Sequence, residues 1–263
     1  MSLEAPPRTS LAMESTLFAG RLFTRWRRSP IVPIQALLFP TFLLITYHLL
    51  VGQSMTRITG TNNLDGLVPM CAVAGAMFGA LGAGLTLPAE RASGLLSRFW
   101  TLPVHRASPL TGRLLAEAVR TFAGAILITA VGFGLGFRFH GSWLAVIPFL
   151  LVPVLVVIVF ATVVVTVGLR SGGNTLFTWL ATGAIGLVFC NSGVAPLKMF
   201  PEWIRPLIQF QPMSPTIESM RALASGGSAL TPLLLTCAWL VGLAAIFGPL
   251  AIHGYRVAAE AGT

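Results

Sequence analysis

A single lysine, Lys198, sets the first limit on the chemistry open to this sequence. It stands in Pro-Leu-Lys-Met, without the Gly-Lys-Ser/Thr run that cradles nucleotide phosphates, so the chain is not a P-loop ATPase on its own. Nothing beside Lys198 suits Schiff-base chemistry either. Cys71, Cys190 and Cys237 fall in apolar stretches with no Cys-x-x-Cys spacing and read as small buried hydrophobes. The histidines His48, His105, His140 and His253 are scattered and form no His-Glu-x-x-His, so no metal site is expected. Glu117 and Arg120 lie one helical turn apart near the edge of an apolar segment, spaced for a boundary ion pair or a gating role. An interfacial transferase would need convergent acids or histidines, and Glu90 with His105 is the one pair that qualifies. Ion-coupled carriers place acids near the bilayer midplane, and channels need a selectivity ring. Neither is present, so the driving force is expected from another polypeptide.

The elements that carry these residues follow from hydropathy. The 263 residues are 55% hydrophobic and only 10% charged, where soluble domains average about 25% charged. Six segments are long and apolar enough for membrane helices: Ile31–Val51, Leu67–Leu87, Leu114–Phe137, Trp143–Leu169, Thr175–Val194 and Leu230–Ile252. The expectation is an all-α integral membrane protein with six transmembrane helices, a single domain over 1–263, and no length left for a separate soluble domain. The first apolar span begins only at Ile31, directly after Arg27-Arg28, and does not read as a cleavable signal peptide. Arg8, Arg21, Arg25, Arg27, Arg28, Arg91, Arg98, Arg106, Arg113, Arg120, Arg170 and Arg256 fall on the side of the termini; Arg57, Arg138, Lys198, Arg205 and Arg221 fall on the other. By the positive-inside rule both termini are cytoplasmic, in a multi-pass protein of the cell membrane. The basic excess is then a topology signal and does not point to nucleic acid, which needs a folded basic surface.

The connecting segments are more specific. Residues 10–28 are amphipathic, with Leu11, Phe18, Leu22 and Trp26 at helical spacing and Arg21, Arg25 and Arg28 opposite; Ser10 and Glu14 mark the start. In the loop that follows Pro88, Ser93 is expected to cap a short helix that Pro103 stops. Leu95, Phe99 and Leu102 then share a face, with Arg98 turned away. A helix this short cannot bury that face alone, so it presses on the bilayer or into a groove of a partner. The 35 residues before the last span are too apolar for a solvent loop. Trp203, Ile204, Leu207 and Ile208 form one short segment, and Gln211-Pro212 breaks it. Ser214 is expected to cap a second segment, with Pro215 at its first position, Glu218 and Arg221 paired, and Gly226-Gly227 as the stop. Two half-helices joined at prolines predict a re-entrant hairpin over 200–226. Gly75, Gly79 and Ala83, with Ala76, Ala80 and Gly84 on the next face, are spaced for close helix packing.

The run Gly94-Leu95-Leu96-Ser97-Arg98-Phe99-Trp100-Thr101-Leu102-Pro103-Val104-His105-Arg106-Ala107-Ser108 resembles the ABC-2-type transporter permeases, in particular the daunorubicin-resistance-like subunits of actinobacteria. Pro196-Leu197, Pro201-Glu202-Trp203-Ile204, Gln211-Pro212 and Met220-Arg221 extend the likeness over essentially the whole chain. It is greatest to the C-type subunit of exporters linked to anthracyclines and phthiocerol dimycocerosate lipids. The resemblance implies a type V exporter-like fold with an elbow helix over 10–28. It also implies a coupling helix over 90–103 that docks in an ATPase through Glu90, Arg91, Gly94, Leu95, Arg98, Phe99, Leu102 and Pro103. Pro201, Trp203, Pro212, Glu218 and Arg221 would belong to the outer hairpin. It further implies a non-catalytic permease subunit, an ATPase dimer that binds the ATP and Mg, a second and different ABC-2 permease, membrane lipid around both, and a hydrophobic drug or complex lipid as cargo. Leu95 and Ser97 stand where many members carry an acid, and Gln211-Pro212 replaces a frequent Asn-Pro. An interfacial transferase or a polytopic scaffold without transport remains the alternative reading.

Overall fold

Apolar stretches of this length satisfy their backbone hydrogen bonds internally only as helices when water is scarce. The computed structural model describes residues 10–60, 62–94, 104–170 and 175–260, and among these every regular element is helical. In chain order they are α1 Leu11–Arg28, α2 Ile31–Thr59, α3 Leu64–Gly84, α4 Leu87–Ala92, α5 Ser108–Leu135, α6 Val146–Arg170, α7 Thr175–Phe189, α8 Arg205–Phe210, α9 Met213–Ser225 and α10 Leu230–Glu260, with single 3-10 turns at Trp143–Ala145 and Leu197–Met199. Among the described residues, four stretches are long and apolar enough to cross a membrane: Leu64–Ala92, Ser108–Leu135, Trp143–Leu169 and Leu230–Ala258. Ala36–Leu50 within α2, and α7, are shorter apolar helices.

The helix ends differ from the hydropathy windows for local reasons. α2 continues past Val51 to Thr59 and stops at Gly60, whose φ of 69° is the left-handed cap that glycine allows. α5 begins at Ser108, earlier than Leu114, because Pro109 sits in its first turn, where a missing N–H costs nothing. α7 ends at Phe189, short of Val194. There Asn191 takes over the hydrogen bonding, its amide donating to the Leu187 and Val188 carbonyls while its Oδ1 accepts from the Gly193 and Val194 N–H groups.

α3 is the axis of the bundle and is buried nearly all round, with α2, α5 and α6 packed against it. Its small residues are what allow this. A side chain at Gly75 would press on Pro40 of α2, one at Gly79 would overlap the Arg120 guanidinium of α5, and one at Gly84 would overlap Val164 of α6. Both small-residue faces read from the sequence therefore take up neighbouring helices. A second core of Leu87, Leu110, Val165, Leu169, Ala251, Tyr255 and Ala258 gathers α4, α5, α6 and the end of α10. α10 is otherwise largely uncovered by the rest of the chain. Of the cysteines, Cys71 is buried as expected, whereas Cys190, just past the end of α7, and Cys237 of α10 are exposed.

Candidate functional site

One end of the bundle is organised by two carboxylates. Glu90, on the short helix α4, accepts from Arg25 of α1 at 2.8 Å and from Arg113 of α5 at 3.1 Å, and its Oε1 lies 3.2 Å from the Thr86 hydroxyl. Arg113 is itself buried and donates further to Thr86 at 3.1 Å and to the Ala83 carbonyl. Further along the chain, His105 and Ser108 meet the second carboxylate, Glu14 of α1. The His105 N–H donates to it at 2.8 Å, its imidazole Nδ1 lies 3.2 Å away, and the Ser108 hydroxyl donates at 2.5 Å. Glu14 thus brings negative charge to the N-terminus of α5, where the helix dipole favours it. α1 can lie this close because Gly112 leaves no side chain against Phe18 and the Ser15 carbonyl, and Ser15 and Thr111 share a 2.6 Å hydrogen bond.

This arrangement changes how several expected residues are read. Glu90 is turned into the protein and spends both oxygens on its own chain. Arg91, on the opposite side of α4, donates to the Leu169 carbonyl at 3.0 Å. Ser93 ends α4, and its hydroxyl donates to the Glu90 carbonyl at 3.0 Å; the helix it was expected to cap lies outside the described residues. Gly94 follows with a φ of 68°, a turn that only glycine makes without strain. Leu95, Arg98, Phe99, Leu102 and Pro103 lie outside the described residues. Glu90 and His105, the pair a transferase would need, answer to different partners, Arg25 with Arg113 in one case and Glu14 in the other. The elbow segment also differs from a simple amphipathic helix. Its buried residues are Glu14, Ser15 and Ala19, while Leu11, Leu17 and Phe23 face outward.

Glu117 and Arg120 form the tightest ion pair on α5, with Arg120 Nη2 and Nε at 2.6 and 3.0 Å from one carboxylate oxygen. Both are buried. Arg113, Glu117 and Arg120, at steps of four and three, make one continuous polar face. That spacing was the available sign that Arg113 belongs with the other two. Arg120 lies against Gly79, and Gly79 lines an open apolar cleft of about 960 Å³ between α2, α3 and α7, with Phe39, Phe42, Phe78 and Phe189 on its walls.

The opposite end holds the hairpin. α8 and α9 meet at Gln211-Pro212, where Gln211 is extended, and the Gln211 amide donates to the Cys190 carbonyl. α9 starts at Met213 with Pro212 before it, one residue ahead of the Ser214 expected to cap it; Ser214 instead lies within the helix, its hydroxyl 3.3 Å from both the Ser192 N–H and the Gln211 amide. Arg221 pairs with Glu218 at 2.8 Å and donates to the Ser192 carbonyl at 2.9 Å. The space for its side chain is left by Gly66. The Ala224 carbonyl accepts from His140 and Gly141. Pro201 and Trp203 are exposed, Trp203 at 80%. Gly66 and Gly112 were not singled out from sequence, because each matters only through a chain segment far away; Asn191 was missed although its partners are local, because it falls inside a stretch read as continuous apolar helix.

The ABC-2 type transporter family matches residues 15–224, which include both ends of this arrangement. The chain belongs to that family. It is 34% identical over 244 residues, 92% of its length and 88% of the relative's, to the probable doxorubicin resistance ABC transporter permease protein DrrC of Mycobacterium tuberculosis. It is 26% identical over 96% of its length, and 89% of the relative's, to the daunorubicin resistance ABC transporter permease protein DrrB1 of Streptomyces coeruleorubidus. The doxorubicin resistance permease DrrB of M. tuberculosis matches 60% of the chain, over 55% of its own length, at 26% identity. The protein is thus a multi-pass membrane permease subunit of an ABC exporter, without catalytic machinery of its own, and works with an ATPase. Among the described residues no cluster of His, Cys, Asp and Glu is built to hold a metal ion.

Proposed function

We propose that this permease forms half of the membrane pathway of a hydrophobic-drug or complex-lipid exporter, with a second, different ABC-2 permease as the other half. The names of its relatives, resistance permeases for doxorubicin and daunorubicin, support an apolar cargo. The presence of both a DrrB and a DrrC in one organism supports a pair of unlike permeases. In this reading α2, α3, α5, α6, α7 and α10 are six membrane crossings, both termini are cytoplasmic, α1 is the elbow helix and 200–226 the outer hairpin. ATP and Mg belong to a dimer of ATPase subunits.

The observation that carries the reading is the double attachment of the coupling segment. The stretch from Glu90 through Pro103 is bound to α1 before it, by Glu90–Arg25, and after it, by Glu14 with His105 and Ser108. A displacement of that stretch by the ATPase is passed to α1, and through Arg113 and Ser108 to α5, because two staples about three helical turns apart on α1 leave little freedom for independent movement. Nucleotide shifts the bundle only if its two states contact the ATPase differently. The cleft at Phe39, Phe42 and Phe78 is where a lateral path for an amphipathic cargo would open.

Co-purification with a partner ATPase subunit tests the reading. Changing Leu95, Phe99 and Leu102 together to Asp is expected to leave the permease in the membrane and to abolish both ATPase binding and drug efflux. A triple variant with an intact complex, unchanged hydrolysis and unchanged efflux would overturn the coupling assignment.

A further inference from the structure

A cavity separate from the cleft lies inside this subunit. It has a volume of about 230 Å³ and is walled by Val73 and Met77 of α3, Val156 and Phe160 of α6, and Trp239 and Leu243 of α10, with α7 and the start of α9 closing the sides. The polar atoms at its wall are already bonded. Thr216 donates to the Pro212 carbonyl and Thr236 to the Pro232 carbonyl, each at 2.8 Å, and the Trp239 indole donates to the Phe210 carbonyl at 2.8 Å. Water has nothing to hold there, and apolar cavities of comparable size stay dry and bind hydrocarbon.

The occupant follows from size and access. Sites for whole drug-sized molecules run to about 300–1,000 Å³ and keep a few free polar groups for orientation. This cavity is smaller and offers none. α7 and α10 both contribute wall yet scarcely touch each other, which leaves a seam between them bordered by Leu180 and Leu187 on one side and Trp239 and Leu240 on the other; Trp179, Leu234 and Val241 are exposed on other faces of the same two helices. Whatever enters through that seam comes from the hydrocarbon around the protein. We infer that the cavity is a binding site for one acyl chain of a membrane lipid, inserted between α7 and α10 beneath the Pro212–Thr216 corner of the hairpin. The chain supplies dispersion contacts that an empty void would forfeit, and it braces the hairpin from inside the bundle. The site is independent of the cargo proposed above.

The test uses the permease with its ATPase in nanodiscs of phosphatidylglycerol containing a trace of the same lipid with a diazirine in one acyl tail. After photolysis, peptide mapping is expected to find adducts on Met77 and Met213, which line the cavity and are only 5% and 3% exposed. Val156→Phe and Leu243→Phe, on different helices, fill the space from two sides, and either is expected to lower those adducts several-fold while labelling at Leu234 and Val241 persists. Labelling confined to Trp179, Leu234 and Val241, and unaffected by a filling variant that still assembles, would overturn the site. Loss of the Met77 and Met213 adducts on adding saturating daunorubicin would assign the cavity to cargo instead and would equally overturn the lipid-tail assignment. Because labelling is read whether or not transport occurs, its failure is distinct from a failure of the exporter reading.

Discussion

Arg113 of α5 and Glu90 of α4 lie 3.1 Å apart, both almost wholly removed from solvent, and the other oxygen of the same carboxylate is held by Arg25. One carboxylate thereby joins α4 to α5, the next helix in the chain, and to α1, 65 residues away. It acts as an internal joint between these helices.

Breaking that joint from one side should be worse than removing it. Arg113→Met leaves Glu90 with its exposed partner Arg25, whereas Glu90→Ala leaves a buried guanidinium uncompensated. Loss of one partner of a buried pair typically costs about 3–5 kcal/mol, while apolar replacement of both is far milder. Glu90→Ala is therefore expected to lower the thermal midpoint of the purified permease more than Arg113→Met does, and the double variant Glu90→Met/Arg113→Met is expected to recover part of the loss. Equal losses for all three would contradict the arrangement.

Gly79 and Gly82 make a matched pair of predictions. A side chain at Gly79 would occupy the position of the Arg120 guanidinium, whereas nothing lies within 4 Å of one at Gly82. Gly79→Val should destabilise by about 1–3 kcal/mol as overpacking does, and should loosen the Glu117–Arg120 pair. Gly82→Ala should be neutral or stabilise the helix by up to about 1 kcal/mol. Detergent melting curves of the two variants decide the matter.

Glu14 is expected to matter through hydrogen bonds rather than through lipid contact. Glu14→Ala leaves the His105 N–H and the Ser108 hydroxyl without this acceptor, a loss of about 1–3 kcal/mol for buried groups. A double-mutant cycle with Ser108→Ala should then show clear coupling. Strict additivity would mean that the two residues do not meet.

Thiol chemistry reports the orientation of three helices. In detergent, N-ethylmaleimide should modify Cys190 and Cys237, both exposed, and leave Cys71 untouched until the protein unfolds. Mass spectrometry showing prompt modification of Cys71 would contradict the placement of α3 at the centre.

Much of this protein was legible before any fold was known. The all-helical class and the family could be read because hydropathy and the Gly94–Ser108 run are properties of contiguous residues. Glu218–Arg221 and Glu117–Arg120 could be read because partners three apart face each other on any helix. The turn at Gly94 was missed, since an amphipathic pattern does not reveal whether a helix bends within it. Glu14 was taken only as part of a helix start, although its partners lie 91 and 94 residues away.

The sequence by itself determined that these residues form apolar helices and carry no Gly-Lys-Ser/Thr loop for nucleotide phosphates, because helix formation in hydrocarbon is a local matter and a missing phosphate-binding lysine cannot be supplied by folding. Only the tertiary structure decided that Glu90 answers to Arg25 and Arg113, that Glu14 anchors the start of α5, and that α7 and α10 leave a dry cavity between them. Those outcomes depend on how each helix is rotated and how closely it approaches its neighbours. Small residues such as Gly79 and Gly112 permit that approach, but which helix makes use of them depends on the packing of the whole bundle.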